Sequence, residues 1–229
     1  MMRVVVLGIA TGLGARLSEA LLDRGLTPVG LVRKPEQQER LRAEGVEAVL
    51  LDTGSEQVRD QLLQAMSGAG GVVLAAGTGT GPGSLGAATA AQSPAGLLSA
   101  AAEKAGVPRY VMVSALQPGE STRRELGADL PAYLAEKENA ERSLGGSALD
   151  WCVLRPGPLD DSAGSGRVLL RTGGDPRPES SVARADVAAT ICELLIAPEP
   201  ARGLLAVSAG TVPVRHAVAA LRGSAVTGR

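Results

Sequence analysis

Val4-Val5-Val6-Leu7-Gly8-Ile9-Ala10-Thr11-Gly12-Leu13-Gly14 is the stretch on which the reading of this chain turns. A short apolar run ends in three glycines, and an amphipathic segment follows at once. Leu17, Ala20, Leu21 and Leu22 recur there at helical spacing, and Gly25 closes the segment as a C-terminal cap would. The order is strand, tight turn, helix. Gly8 permits the turn, Gly12 lets an anion come close to the backbone, and Gly14 lets the helix pack on the strand. Such a turn can aim backbone N–H groups at one point, with the positive end of the helix dipole behind them. The ligand this predicts is the pyrophosphate of a dinucleotide. In a chain with 30 glycines, an ordinary strand-to-helix turn is the alternative.

Composition narrows the class. A chain of 229 residues can bury a sizeable core as one large domain or one domain with an appended lobe. The formal net charge of −1 argues against a general nucleic-acid binder, which needs a basic surface. No apolar run is long enough to span a bilayer, and Met1 leads directly into the first strand rather than into a secretory signal. A cytoplasmic location without membrane association is the expectation. Aromatic residues make up 1%, with no Phe, so the core must be built from Val, Leu, Ile and Ala. Cys152 and Cys192 lie far apart in apolar segments and read as buried, inert thiols. His216, the sole histidine, sits in a helical stretch near the C-terminus, so neither a metal site nor a Ser–His–Asp triad is expected.

Strands are predicted at Arg3–Leu7, Pro28–Val32, Ala48–Leu51, Gly71–Ala75, Tyr110–Ser114 and Trp151–Leu154. Helices are predicted at Gly12–Arg24, Pro35–Ala43, Ser55–Met66, Ala95–Ala105 and Ala132–Leu144, with Ser55 as an N-cap. Wholly apolar strands alternating with helices imply a doubly wound parallel α/β sheet of Rossmann type, with a cleft at the carboxyl ends of its strands. From about Gly157 the chain turns rich in Pro and Gly. A strand at Arg167–Arg171, a helix from Arg184 to Ile196, a strand at Leu204–Val207 and a helix near Val214–Leu221 follow. The expected organisation is a dinucleotide-binding core over residues 1–157 and a small C-terminal substrate lobe over 158–229, packed as one unit. The Gly77–Gly86 segment, nearly all Gly, Thr, Pro and Ser, is either a connector or a mobile lid over the cleft.

With these pieces in place, the chain resembles a short-chain dehydrogenase/reductase of the atypical NAD(P)-binding branch that includes NmrA-like and flavin-reductase-like proteins. The resemblance rests on the Gly8/Gly12/Gly14 turn, Val32-Arg33, Ala105–Ser114, Leu149–Gly157 and Ser181–Ala188. It assigns Gly8, Ala10, Thr11, Gly12, Leu13 and Gly14 to the diphosphate, Asp52 to the adenine side, and Ala75, Ala76 and Gly77 to the cofactor end of the fourth strand. Asp52 reads equally well as a turn residue before Thr53-Gly54. The second strand ends in Val32-Arg33-Lys34 with no acid until Glu36. An acid there would hold the ribose hydroxyls of NAD, whereas an arginine accommodates the extra phosphate of NADP, so NADP(H) is favoured over NAD(H), the alternative being that Arg33 and Lys34 are a solvated loop pair.

Tyr133 and Lys137 are four apart and share a helical face, either as a functional pair or as a surface tyrosine beside a solvated lysine on an amphipathic helix. The resemblance implies that this pair supplies the proton while hydride passes between nicotinamide and a carbonyl, that Lys137 also holds the nicotinamide ribose, and that Ser114 steadies the substrate carbonyl. A neighbouring ammonium and the cationic nicotinamide are expected to lower the tyrosine pKa from its ordinary value of about 10 toward the working pH. Pro156, in the Arg155-Pro156-Gly157 turn, is implied to line the nicotinamide pocket or to form a rigid strand exit. Asp160-Asp161 is read as solvated. Two departures stand out: the insertion Gln117–Pro131 separates Ser114 from Tyr133, and Ala90-Ala91-Gln92-Ser93 lacks the polar residue usual in that helix. The expected function is an NADP(H)-dependent oxidoreductase or epimerase-like enzyme acting on a small carbonyl-type substrate, a flavin or biliverdin-type reductase being a variant. The alternative is a non-catalytic NADP(H)-binding sensor or scaffold of NmrA-like type. The oligomeric state stays open, a homodimer among the alternatives.

Overall fold

Strand β1 (Arg3–Leu7) lies inside the sheet because Val4, Val5 and Val6 leave it no exposed face. The alternation of a strand sends Val4 and Val6 into one core layer and Val5 into the other. The computed structural model describes residues 1–10, 12–52, 55–75, 94–114, 120–173, 175, 177–199 and 201–221. Around β1 run β2 (Thr27–Val32), β3 (Glu47–Leu50), β4 (Ala69–Leu74), β5 (Tyr110–Val113) and β6 (Trp151–Pro156). These pair in parallel in the order β3-β2-β1-β4-β5-β6. The fold is the expected Rossmann-type α/β sheet.

One layer of helices comprises α1 (Leu13–Asp23), α2 (Pro35–Ala43), α7 (Arg184–Ile196) and α8 (Val214–Ala219). Leu17, Leu21, Leu41, Ile191 and Ala217 of these helices share a core with Val4 and Val6. The opposite layer comprises α3 (Val58–Ala65), α4 (Pro94–Lys104) and α6 (Leu130–Gly145), whose Leu62, Leu98 and Leu144 pack with Val5, Met112 and Val153. Gly25 takes a left-handed φ of 68° just past α1, and the Leu26 N–H donates back to the Leu21 carbonyl. That is the glycine-terminated helix end the sequence predicts.

Several boundaries move. Ser55 does not cap α3: its Oγ accepts from the Gln57 N–H in a tight turn, and the helix begins at Val58. A short helix, α5 (Glu120–Leu126), occupies part of the predicted insertion. Beyond residue 157, β7 (Leu159–Asp160) and β9 (Val182–Ala183) form a two-stranded parallel sheet. The strands β8 (Arg167–Arg171), β10 (Gly203–Ala209) and β11 (Val212–Pro213) extend the main sheet to nine strands. β10 adds to β6 in parallel, and β8 and β11 follow antiparallel. Helix α7 lies against α1, and Arg24 is ion-paired with Glu193 between them. No helix among the described residues is long and apolar enough to cross a membrane.

Candidate active site at the carboxyl edge of the sheet

The turn after β1 is held by backbone geometry that only glycine allows. Gly8 has φ 95°, and Gly12 has φ 50° with ψ −117°. A Cβ on Gly14 would enter the van der Waals shell of the Gly8 carbonyl oxygen and lie 2.6 Å from the Ile9 Cα. Gly14 is therefore the point where helix and strand touch, as expected. Ile9 is fully buried and is accommodated by Gly30 in β2, where a Cβ would sit 2.7 Å from its Cγ2. Arg40 of α2 fastens the turn from outside by donating to the Ala10 carbonyl. Leu13 is the first residue of α1 and is buried. Among the described residues, no side chain caps the N-terminus of α1 at Gly12. Its first N–H groups thus remain open to an anion, and a turn with strand-to-helix contact at Gly14 and no side chain at Gly12 fits a dinucleotide diphosphate. Thr11 lies outside the described residues.

The remaining predicted cofactor residues lie along the same edge. Arg33 and Lys34 are exposed just past the end of β2, with Lys34 at the N-cap of α2. Asp52 is exposed after β3, and its backbone N–H donates to Gln61 Oε1 over 3.1 Å. Ala75 is buried and its N–H donates to the Leu7 carbonyl. Ala76, Gly77, the Gly77–Gly86 segment and Ala90–Ser93 lie outside the described residues. Pro156 ends β6 opposite Val207 of β10, and the Gly157 N–H donates to the Val207 carbonyl. A Cβ on Gly157 would be 2.9 Å from the Ser180 carbonyl carbon, so this turn is pressed against the chain before β9.

A row of polar side chains lies between α6 and the ends of β5 and β6. Tyr133, Lys137 and Glu141 recur every four residues on the buried face of α6. Lys137 Nζ donates to the Val113 carbonyl over 3.4 Å, and Ser114 follows immediately. The Ser114 N–H donates to the Leu154 carbonyl, which sets Ser114 beside Arg155 at the strand ends. Ser114 is 2% exposed, and its Oγ has no hydrogen-bond partner among the described residues. A buried hydroxyl without a partner is costly, so a ligand atom at this point would relieve it.

The electrostatics of the row differ from the expectation in one respect. The Lys137 ammonium lies over the Tyr133 ring, 5.6 Å from its centroid. Burial pushes the Tyr133 hydroxyl up to about 12, and the charge of Glu136 pushes the same way. Without a bound cofactor, burial sets the direction at Tyr133. Burial also lowers Lys137 to about 8, with Glu136 and Glu141 opposing.

Arg155 was not expected to be a buried ion-pair centre. It donates to Glu141 through Nε over 3.2 Å and Nη2 over 2.5 Å, and to Asp175 through Nη1 over 2.8 Å. Burial alone would lower its pKa, but these two carboxylates reverse the sign. The i+4 spacing of Glu141 from Lys137 places it on the same helical face, but nothing in the sequence marks Arg155 as its partner. Asp161 is exposed, as read, yet pairs with Arg184 at 2.9 Å. Asp186 is buried and accepts from the Ser165 and Gly166 N–H groups, which ties the loop before β8 to the start of α7. Cys152 and Cys192 are buried free thiols, pushed up to about 12 and about 11 by burial.

Comparisons with known proteins agree with this geometry. A sequence model described as NAD(P)H-binding matches residues 8–198. The chain is 28% identical over 218 residues to the uncharacterized sugar epimerase YhfK of Bacillus subtilis, covering 95% of this chain and 99% of that protein. Among solved structures it is similar to a Bacillus halodurans protein assigned as an NAD-dependent epimerase/dehydratase. That match has 28% identity and a TM-score of 0.71, and covers 96% of this chain and 100% of the other. It is also similar to ChuY, an anaerobillin reductase from Escherichia coli O157:H7, at 26% identity and a TM-score of 0.71 over 92% of this chain and 98% of the other. With the glycine turn, the parallel sheet and a match over most of its length, the chain belongs to the NAD(P)H-binding family of atypical short-chain dehydrogenase/reductase type.

Proposed function

We propose that this protein is an NADP(H)-dependent oxidoreductase that reduces a small carbonyl-type acceptor. The observation that carries the reading is the buried Ser114 hydroxyl just past β5, without a partner among the described residues and one residue from the carbonyl that Lys137 holds. Bound NADPH would supply the hydride to the carbonyl carbon. The Ser114 hydroxyl donates a hydrogen bond to the substrate oxygen, and the Tyr133 hydroxyl gives it the proton that completes the alcohol. Lys137, protonated near neutral pH, anchors the helix face to the strand end and steadies the negative charge left on the Tyr133 oxygen. Arg33 favours NADP(H), since a guanidinium matches a phosphate and no carboxylate stands at the end of β2 to hold free ribose hydroxyls.

Loss of NADPH absorbance against a panel of carbonyls and quinones tests the reaction. Tyr133→Phe is expected to reduce turnover by about 10²–10⁴-fold; turnover at the wild-type rate in that variant would refute the assignment. Calorimetric titration of Arg33→Ala is expected to weaken NADPH by up to about 100-fold, or about 2.7 kcal/mol, with NADH unchanged. One observation favours the sensor reading instead: burial holds the Tyr133 proton tightly, and the ammonium faces its ring. Tight dinucleotide binding, no turnover across the panel, and a protein partner captured with NADP⁺ but not NADPH would decide for it.

A further inference from the structure

Arg184 is the first residue of α7, a helix from the C-terminal part of the chain, yet its side chain lies over the amino-terminal glycine turn. A Cβ placed on Gly12 would be 3.9 Å from Arg184 Nε. The open space in front of the α1 N-terminus is therefore flanked by a guanidinium as well as by backbone N–H groups. The base of that side chain is held firmly. Buried Asp186, one half-turn further along α7, accepts hydrogen bonds from Ser165 and Gly166 and fixes the helix start. The tip is held loosely. Its partner Asp161 Oδ2, at 2.9 Å, belongs to a carboxylate that is 77% exposed, and an ion pair with one partner in water is weak. A diphosphate carries more charge than a carboxylate and accepts a guanidinium in two-point fashion.

We propose that Arg184 is a ligand of the dinucleotide's diphosphate, and that it leaves Asp161 for the phosphate oxygens when the cofactor binds. This rests on the dinucleotide site described above and adds a contact from the opposite end of the chain. The role differs from that of Arg33. A contact to the diphosphate serves NADP(H) and NAD(H) alike and needs no nicotinamide, whereas a contact to the 2′-phosphate serves NADP(H) alone.

Calorimetric titration of NADP⁺, NAD⁺ and ADP-ribose into the wild type, Arg184→Gln, Arg184→Lys and Asp161→Asn tests it. Arg184→Gln should weaken all three ligands by a similar factor of about 10, Arg184→Lys by less, and Asp161→Asn should tighten all three by about 2- to 3-fold. Thermal unfolding of each variant checks that the fold is kept; should Arg184→Gln not fold, the lysine variant and Asp161→Asn carry the same comparison. Unchanged affinities in the arginine variants, a loss confined to NADP⁺, or weaker binding in Asp161→Asn would overturn the proposal while leaving the dinucleotide site intact. A wild type that binds none of the three ligands would overturn both.

Discussion

The glycine turn after β1 and the polar row beneath α6 are built from opposite materials. The turn offers backbone: Gly8, Gly12 and Gly14 carry no side chain, and no residue in it has an ionisable one. The row is made of side chains alone. Ser114, Tyr133, Lys137, Glu141 and Arg155 are all buried, four of them ionisable, and each depends on another element to hold it. A backbone site is specified by local sterics, whereas a side-chain site is specified by packing between segments distant in sequence. The two should therefore fail differently when altered.

The largest effect is expected in the row. Glu141 takes two hydrogen bonds from Arg155, and the other carboxylate on that guanidinium, Asp175, is 58% exposed. Glu141→Leu leaves a buried cation with one wet partner, and loss of one member of a buried pair typically costs about 3–5 kcal/mol. The double variant Glu141→Leu/Arg155→Met removes the charge as well and should recover most of that loss. Urea unfolding of the two variants gives the answer; a single variant within about 1 kcal/mol of wild type would mean the pair is not what holds α6 to β6.

In the turn the effect is smaller and steric. Gly14→Ala drives a methyl group into the Gly8 carbonyl, which is backbone and cannot step aside, so a loss of about 2–3 kcal/mol is expected. Gly12→Ala meets only ordinary contact with Arg184 Nε, 3.9 Å from the new Cβ, but must hold a φ of 50°, which costs about 1–2 kcal/mol. Its main consequence should be weaker dinucleotide binding, because the new methyl group stands where the anion approaches. The comparison breaks if Gly12→Ala proves the less stable of the two, or if Gly14→Ala binds cofactor normally with unchanged stability.

This contrast also explains what the sequence made legible. The strands β1 to β6 followed from apolar runs separated by helical spacing, whereas their order in the sheet did not. Gly8, Gly12 and Gly14 were readable because glycine announces a backbone requirement locally. Tyr133 and Lys137 were readable as a shared helical face. The partners across the fold were not. Nothing in the local sequence says that Arg40 reaches Ala10, that Arg155 meets Glu141 and Asp175, or that Arg184 reaches the first turn. A long basic side chain looks the same in sequence whether it is solvated or pinned. The sheet extension by β10, β8 and β11 was hidden for a related reason. The apolar runs of β8 and β10 read as strands, but pairing with β6 is decided by an edge that only the folded core presents.

The mildest prediction sharpens the comparison through pH. Burial holds Lys137 at about 8 in the folded protein, below its ordinary value of 10.5. The unfolded chain therefore binds more protons than the native one between these two values, and stability should rise with pH across that window. The destabilisation is fully present below pH 8 and fades as the solution nears pH 10.5. Lys137→Met has no such group, so the stability of wild type relative to this variant should increase by about 1 kcal/mol between pH 7 and 9. Gly12→Ala keeps the lysine, so its stability difference from wild type should be flat over the same range. Unfolding curves at pH 7, 8 and 9 for the three proteins make the test. A flat difference for Lys137→Met would mean that the ammonium beneath α6 is hydrated in solution, and a sloping one for Gly12→Ala would mean that the glycine turn and the polar row are not electrically independent.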